Sequence, residues 1–273
     1  MTFPLTWLYA PGDRPHIVAK ALRCGADVVV IDLEDAVAPD RKDYARAATA
    51  ELLREEQPVP VHVRVNALDG PLAAADLRAV VALPGVHGLR LPKVTSPAQI
   101  TRIASRVAEH GRRPLYALLE TALGVEHAYA IAAAHPDLRG ISLGESDLRA
   151  DLGVRADAGL DWSRSRVIVA ARAAGLAPPP QSVHPDIRDL EGLASSCAHG
   201  RTLGFLGRSA IHPRQLPIIE RAYLPTQREI EEAETIVKAA AAEPGAQALA
   251  DGRFVDAAVV AAAQRTLSLA RRA

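Results

Sequence analysis

Cysteine is nearly absent from this sequence, with only Cys24 and Cys197 among 273 residues. That excludes a disulfide framework, and no Cys-x-x-Cys pair offers itself to a structural metal. An excess of one charge is also missing. The 32 Lys and Arg residues match 32 Asp and Glu residues, for a formal net charge of zero. Such a balance argues against a general nucleic-acid binder and against a polybasic membrane module. No apolar run approaches the roughly 18 residues of a membrane span, and no basic-then-apolar leader opens the chain. What is left is ordinary globular composition, 49% hydrophobic and 23% charged. The expectation is a cytoplasmic protein that acts on a small molecule, with neither nucleic acid nor membrane as partner.

The clearest positive signal is alternation. Short apolar runs at 7–10, 28–33, 59–65, 88–92, 115–119, 140–143, 181–184 and 203–206 alternate with longer segments of helical period. Several of the runs are apolar on both faces, as strands of a buried parallel sheet are. Helices are expected over 14–22, 41–55, 73–83, 97–109, 125–134, 163–174 and 187–198. Eight such units in about 220 residues predict an α/β fold of the (β/α)8 TIM-barrel type rather than an open doubly wound sheet. No Gly-rich dinucleotide fingerprint follows the first strand, which further weakens the Rossmann alternative. Beyond the eighth unit, two more helices are expected over 226–242 and 256–272, joined by a loop with Pro and Gly. The organisation expected is a barrel domain over 1–225 and a helical arm of the same domain over 226–273. The arm either caps the barrel or reaches a neighbouring subunit.

In a barrel the chemistry gathers at the carboxyl ends of the strands, and those ends are unusually polar here. They carry Asp13-Arg14, Asp32-Leu33-Glu34-Asp35, Arg64 with Asn66, Lys93, Glu120-Thr121, Glu145-Ser146-Asp147, His184 and His212. Each has an ordinary explanation. Asp35, Thr121, Ser146 and Asp147 suit helix N-caps, His184 and His212 suit loop hydrogen bonds, and Lys93 suits a solvated rim. Two acids and an arginine at one mouth are harder to dismiss, because burying Glu120, Asp147 and Arg64 without partners costs several kcal/mol. A divalent cation would satisfy the acids. All-oxygen ligation points to Mg²⁺ rather than zinc, for which no His/Cys set has suitable spacing.

The ordered set of segments resembles a known family. Tyr9-Ala-Pro-Gly-Asp-Arg-Pro, Val30-Ile-Asp-Leu-Glu-Asp-Ala-Val, Val63-Arg-Val-Asn, Leu91-Pro-Lys, Leu119-Glu-Thr, Gly144-Glu-Ser-Asp-Leu, Ile211-His-Pro and Asp251-Gly-Arg-Phe-Val-Asp follow one another along nearly the whole chain. Together they are similar to the citrate lyase β-subunit-like group of acyl-CoA lyases, in the HpcH/HpaI aldolase/citrate lyase family. The resemblance implies a Mg²⁺-dependent, usually trimeric TIM barrel that cleaves or forms a C–C bond beside a CoA thioester. By motif it makes Glu120 and Asp147 the metal ligands. Arg64 becomes the group that holds the substrate carboxylate or the thioester-derived oxyanion. Asp256 becomes the acid/base from the C-terminal arm, often acting across a subunit boundary; its ordinary alternative is the N-cap of the last helix. Tyr9, Lys20, Ile211 and His212 fall where members contact CoA, and His16 stands where some members have lysine. Asp32, Glu34 and Asp35 become supporting groups around the metal waters. Expected substrates are a 3-hydroxyacyl-CoA of the malyl-CoA or citramalyl-CoA type, split to acetyl-CoA and a 2-oxo acid. The alternatives are a citrate lyase β subunit acting on a citryl thioester held by an acyl-carrier protein, and a 2-oxo-acid aldolase that needs no CoA.

Overall fold

A computed structural model describes residues 3–242, 245–249 and 252–272. The first units are β1 (Thr6–Pro11), α1 (Pro15–Ala21), β2 (Val28–Asp32), α2 (Lys42–Leu52), β3 (Val61–Arg64), α3 (Leu72–Val80), β4 (Gly88–Leu91) and α4 (Pro97–Ala108). There follow β5 (Leu115–Leu119), α5 (Ala122–Glu126), α6 (Ala128–Ala132), β6 (Leu138–Leu143), α7 (Glu145–Leu152), α8 (Asp161–Ala173), α9 (Leu190–Leu203), β7 (Arg208–Ala210) and α10 (Leu216–Tyr223). The tail adds α11 (Gln227–Ala242), a small antiparallel pair of β8 (Gln247–Ala248) with β9 (Phe254–Val255), and α12 (Ala257–Ala270). Asp251, which opens the last motif, lies outside the described residues. Among the described residues no helix is long and apolar enough to cross a membrane.

Strands β1 to β7 form one parallel sheet in the order β6-β5-β4-β3-β2-β1-β7, curled into a half-barrel. Alternation along each strand decides where side chains go. One rank, with Leu8, Val29, Ile31, Val61, Val63, Leu89, Leu91, Ala117 and Leu119, joins the core shared with the helices. Each such Val, Leu or Ile contributes roughly 1.5–3 kcal/mol on burial. The opposite rank lines the concave interior, where Trp7, Val28 and Val30 form a separate small cluster with Tyr9. The polar ends Asp32, Arg64 and Glu120 belong to this interior rank.

Two of the eight expected strands differ, and both have a backbone cause. The run at 203–206 is the close of a helix: α9 ends at Leu203, Gly204 takes the left-handed position at φ 107, and the strand begins only at Arg208. The run at 181–184 contributes an isolated parallel bridge between Gln181 and Arg208. Pro178, Pro179 and Pro180 precede it, and residues without an N–H cannot donate to a ladder. The sheet among the described residues therefore has seven strands plus this bridge, not a complete ring of eight. Helix 125–134 is also divided, into α5 and α6 at His127.

Candidate active site

The carboxyl ends of the strands surround a cavity of about 540 Å³ whose lining includes Tyr9, Asp32, Arg64, Glu120, Asp147 and Ile211. Glu120 directly follows β5 at 3% exposure. Its Oε2 accepts the Lys93 backbone N–H at 2.9 Å. Burial, reinforced by the nearby Glu34 charge, pushes its carboxyl up to about 7. The close approach of Glu120 to β6 depends on a missing side chain, since a Cβ at Gly144 would lie 2.2 Å from Glu120 Oε1. Asp147, in the first turn of α7, is half exposed and lies 3.8 Å from Lys93 Nζ.

Arg64 is locked by acids. Its Nε and Nη2 donate to the two Asp32 carboxylate oxygens at 2.8 and 2.6 Å, a bidentate pair. Its Nη1 lies 3.1 Å from Glu34 and 3.4 Å from Asp35, and its guanidinium carbon is 5.3 Å from the centre of the Tyr9 ring. Asp32 is fixed in turn by accepting the backbone N–H groups of Glu34 and Ala36. Lys93 completes the array by donating to Glu34 at 2.6 Å. It does so from a left-handed backbone with φ 53, unusual for a residue with a side chain. Burial raises the Glu34 carboxyl, against the pull of Arg64. Arg64 and Lys93 thus share one mouth with Asp32, Glu34, Asp35, Glu120 and Asp147.

Of the residues singled out in the sequence, Tyr9, Asp32, Asp35, Arg64, Glu120, Glu145, Ser146, Asp147 and Ile211 line this one cavity. His16, Lys20, His212 and Asp256 do not. His16 and Lys20 are exposed on α1. His212 caps the short turn at Pro213–Gln215, where its Nδ1 accepts the Arg214 N–H. Asp256 caps α12, accepting the Val259 N–H at 2.9 Å, and is not among the cavity's lining residues. Thr121 is an N-cap as expected, whereas Asp147 is not, since Gly144 holds the N-cap position of α7. Sequence reading passed over Ser142, Ser182 and Ser209, which also line the cavity, and the role of Glu145, a lining residue held by both Arg164 nitrogens Nε and Nη2 at 3.0 and 2.7 Å. For Ser142 the available signal was a single serine in an otherwise largely apolar strand; Ser182 and Ser209 offered none. Among the described residues, no three His, Cys, Asp or Glu side chains are grouped to hold a metal.

Comparison with known proteins identifies the family. The family model for HpcH/HpaI aldolase/citrate lyase matches residues 5–213. The citrate lyase subunit beta of Leuconostoc mesenteroides subsp. cremoris is 34% identical over 97% of this chain and 92% of its own. A (3S)-malyl-CoA thioesterase of Cereibacter sphaeroides is 37% identical over 96% of this chain and 93% of its own. Protein CitE of Mycobacterium tuberculosis, solved with magnesium, acetoacetate and coenzyme A, superposes with a TM-score of 0.82 at 36% identity, covering 98% of both chains. On this evidence the chain belongs to the HpcH/HpaI aldolase/citrate lyase family, a family of lyases.

Proposed function

We propose that this protein is a Mg²⁺-dependent lyase that cleaves or forms the C–C bond of a 3-hydroxyacyl-CoA, yielding acetyl-CoA and a 2-oxo acid. The observation that carries the reading is the meeting of Glu120, Asp147 and Arg64 in one cavity at the carboxyl ends of the strands. The donors suit the ion. Two carboxylates with room for water and substrate oxygens are a magnesium set, and Glu120, pushed up to about 7 by burial against the pull of Arg64 and Lys93, would be held ionised by a cation. Glu120 and Asp147 would hold the ion, which would supply Lewis-acid polarisation to a substrate oxygen.

The chain's own groups account for the remaining steps. The 3-hydroxyl gives up its proton to solvent water in the cavity as the C2–C3 bond breaks, and the electron pair of that bond passes toward the thioester carbonyl. Arg64, immobilised by Asp32, Glu34 and Asp35, presents fixed positive charge where negative charge gathers. Such preorganised donors contribute about 3–4 kcal/mol each. The resulting enolate needs a proton on carbon, and Asp256 is the donor; in the condensation direction it removes that proton. Asp256 caps α12 and does not line its own chain's cavity, so the arm of residues 226–273, beyond the barrel domain of residues 1–225, delivers it to a neighbouring copy in a homotrimer. Tyr9 and Ile211 receive the CoA end at the cavity rim, with His16, Lys20 and His212 further out.

A second reading is favoured by the malyl-CoA thioesterase among the relatives: hydrolysis of the thioester rather than C–C cleavage. The test is a panel of 3-hydroxyacyl-CoA esters with Mg²⁺, following acetyl-CoA, free CoA and oxo acid together. Acetyl-CoA released with an equal amount of oxo acid supports the lyase. Free CoA with the intact hydroxy acid assigns hydrolysis. Inactivity on all free esters, with an acyl-carrier protein co-purifying, assigns a carrier-dependent subunit.

A further inference from the structure

The half-barrel has a second mouth, at the amino-terminal ends of the strands. A cavity of about 680 Å³ opens there, on the side away from Glu120 and Asp147, with Trp7, His62, Arg90, Tyr116, Arg139 and Pro179 among its lining residues. Its floor is Arg90, only 2% exposed. A guanidinium never surrenders its charge in a protein, so an enclosed one normally faces a carboxylate. Arg90 pairs with none among the described residues. Its Nε has no hydrogen-bond partner there, and Nη1 reaches only the Tyr9 hydroxyl at 3.5 Å. The guanidinium carbon stands 5.7 to 6.0 Å from the ring centres of Tyr116, Tyr9 and Trp7. Those faces soften the burial of charge without using its N–H groups.

Other groups in the cavity repeat the pattern. His62, stacked on Tyr116 at 4.5 Å, is fully enclosed, and its Nδ1 also lacks a partner. Burial and the Arg90 charge hold the His62 imidazole well below its usual range, hence neutral. Arg139 adds a second guanidinium at the exposed rim. Glycines keep the space open: a Cβ at Gly88 would meet the His62 ring at 2.8 Å, and one at Gly140 the Tyr116 ring at 3.0 Å. The barrel interior thus holds an unpaired cation at the bottom of an aromatic and proline-walled pocket.

The geometry points to a binding site for a small organic carboxylate with an apolar body. The planar fork of Arg90 matches a carboxylate in two parallel bonds. Trp7, Tyr116 and the Pro178–Pro180 lip suit a ring or short chain and disfavour a compact, strongly hydrated anion such as phosphate. Ser142 lines both cavities, and the Tyr9 ring lies between Arg64 and Arg90. The occupant therefore sits directly beneath the candidate active site without sharing its acids.

Benzoate is the probe. Trp7 and Trp162 are the two tryptophans, so in a Trp162→Phe background Trp7 alone reports the pocket by fluorescence. Benzoate is expected to change that signal saturably in the millimolar range or below, with acetate weaker and inorganic phosphate without effect. Arg90→Gln should weaken benzoate about tenfold or more. Ala177→Phe, which fills the mouth, leaves Arg90 in place and adds no tryptophan, should abolish it, so a failure of the first variant to fold leaves the second to decide. Arg64→Lys, in the other cavity, should leave the affinity unchanged. Absence of a saturable signal overturns the proposal. So does benzoate binding that survives Arg90→Gln or Ala177→Phe in a folded variant, or that is lost with Arg64→Lys.

Discussion

Glu120 pays for its enclosure in protons. In the unfolded chain its carboxyl titrates near 4.5, whereas burial holds it near 7 in the folded protein. Between those values the unfolded state has released a proton that the folded state still binds, so this group's contribution to stability falls as pH rises from about 4.5 to about 7 and is flat above. In EDTA, Glu120→Gln should therefore be more stable than wild type above pH 7, by about 1–3 kcal/mol, with the difference vanishing near pH 4.5. Urea unfolding at the two pH values measures it. Magnesium should restore stability to wild type by mass action and do nothing for the variant. Gly144 yields a second prediction at this scale. Because a Cβ there would overlap Glu120 Oε1 at 2.2 Å, Gly144→Ala should swing the carboxylate off the Lys93 amide while leaving the fold intact. A misplacement of that size should lower kcat/KM about a hundredfold, read in a steady-state assay. An unchanged rate would mean that the position of Glu120 does not matter to turnover.

Between elements, the strongest polar fastener joins α7 to α8. Arg164, 1% exposed on α8, grips Glu145 at the start of α7 with two nitrogens and also donates to Asp157 and Asp161. Asp157 is drawn down to about 2 by this guanidinium. Arg164→Met should cost about 3–5 kcal/mol, because Glu145 is left buried and unpaired. Adding Glu145→Met should recover most of that loss, and a double-mutant cycle by chemical denaturation separates the pair from its parts. If both single variants unfold like wild type, the link is ornamental. Elements of this kind also mark how far sequence reading reaches. Strands β1 to β6 were legible because a parallel sheet buries both faces and its runs are continuously apolar. Helix α4 was legible through Ser96, Pro97 and Gln99, a capping box with proline at its first turn. Helix α7 was not, since Glu145-Ser-Asp-Leu-Arg-Ala-Asp-Leu has little apolar period, and β7 is a three-residue strand with Arg208 and Ser209 in it. The acids and Arg64 of the candidate site were legible as polar strand ends. Arg90 was not, because a single arginine in Gly-Leu-Arg-Leu reads the same whether it faces solvent or the barrel interior.

The whole molecule poses a question of reach. Helix α12 is tied at its far end, where Arg272 bonds the Phe3 carbonyl and the Asp27 carboxylate, and Asp27 in turn accepts the Leu5 and Thr6 amides. Those partners stand at the amino-terminal side of the sheet. Asp256 caps the opposite end of the helix, roughly 20 Å away at 1.5 Å per residue, yet it is not a lining residue of its own chain's cavity. An acid/base role for Asp256 consequently requires a second copy. Asp256→Asn alone should fold normally and lower kcat at least about a hundredfold. Glu120→Gln should be inactive for a different reason, loss of a proposed metal ligand. Co-expressed in equal amounts, the two variants assemble at random. In about a quarter of the sites an intact Glu120 cavity then meets an intact Asp256 arm from a neighbour. Activity of the mixture near a quarter of wild type, from two parents that are each inactive, is the expected result. If Asp256 served its own cavity, every site in the mixture would carry one lesion, and the mixed assembly would be as inactive as its parents.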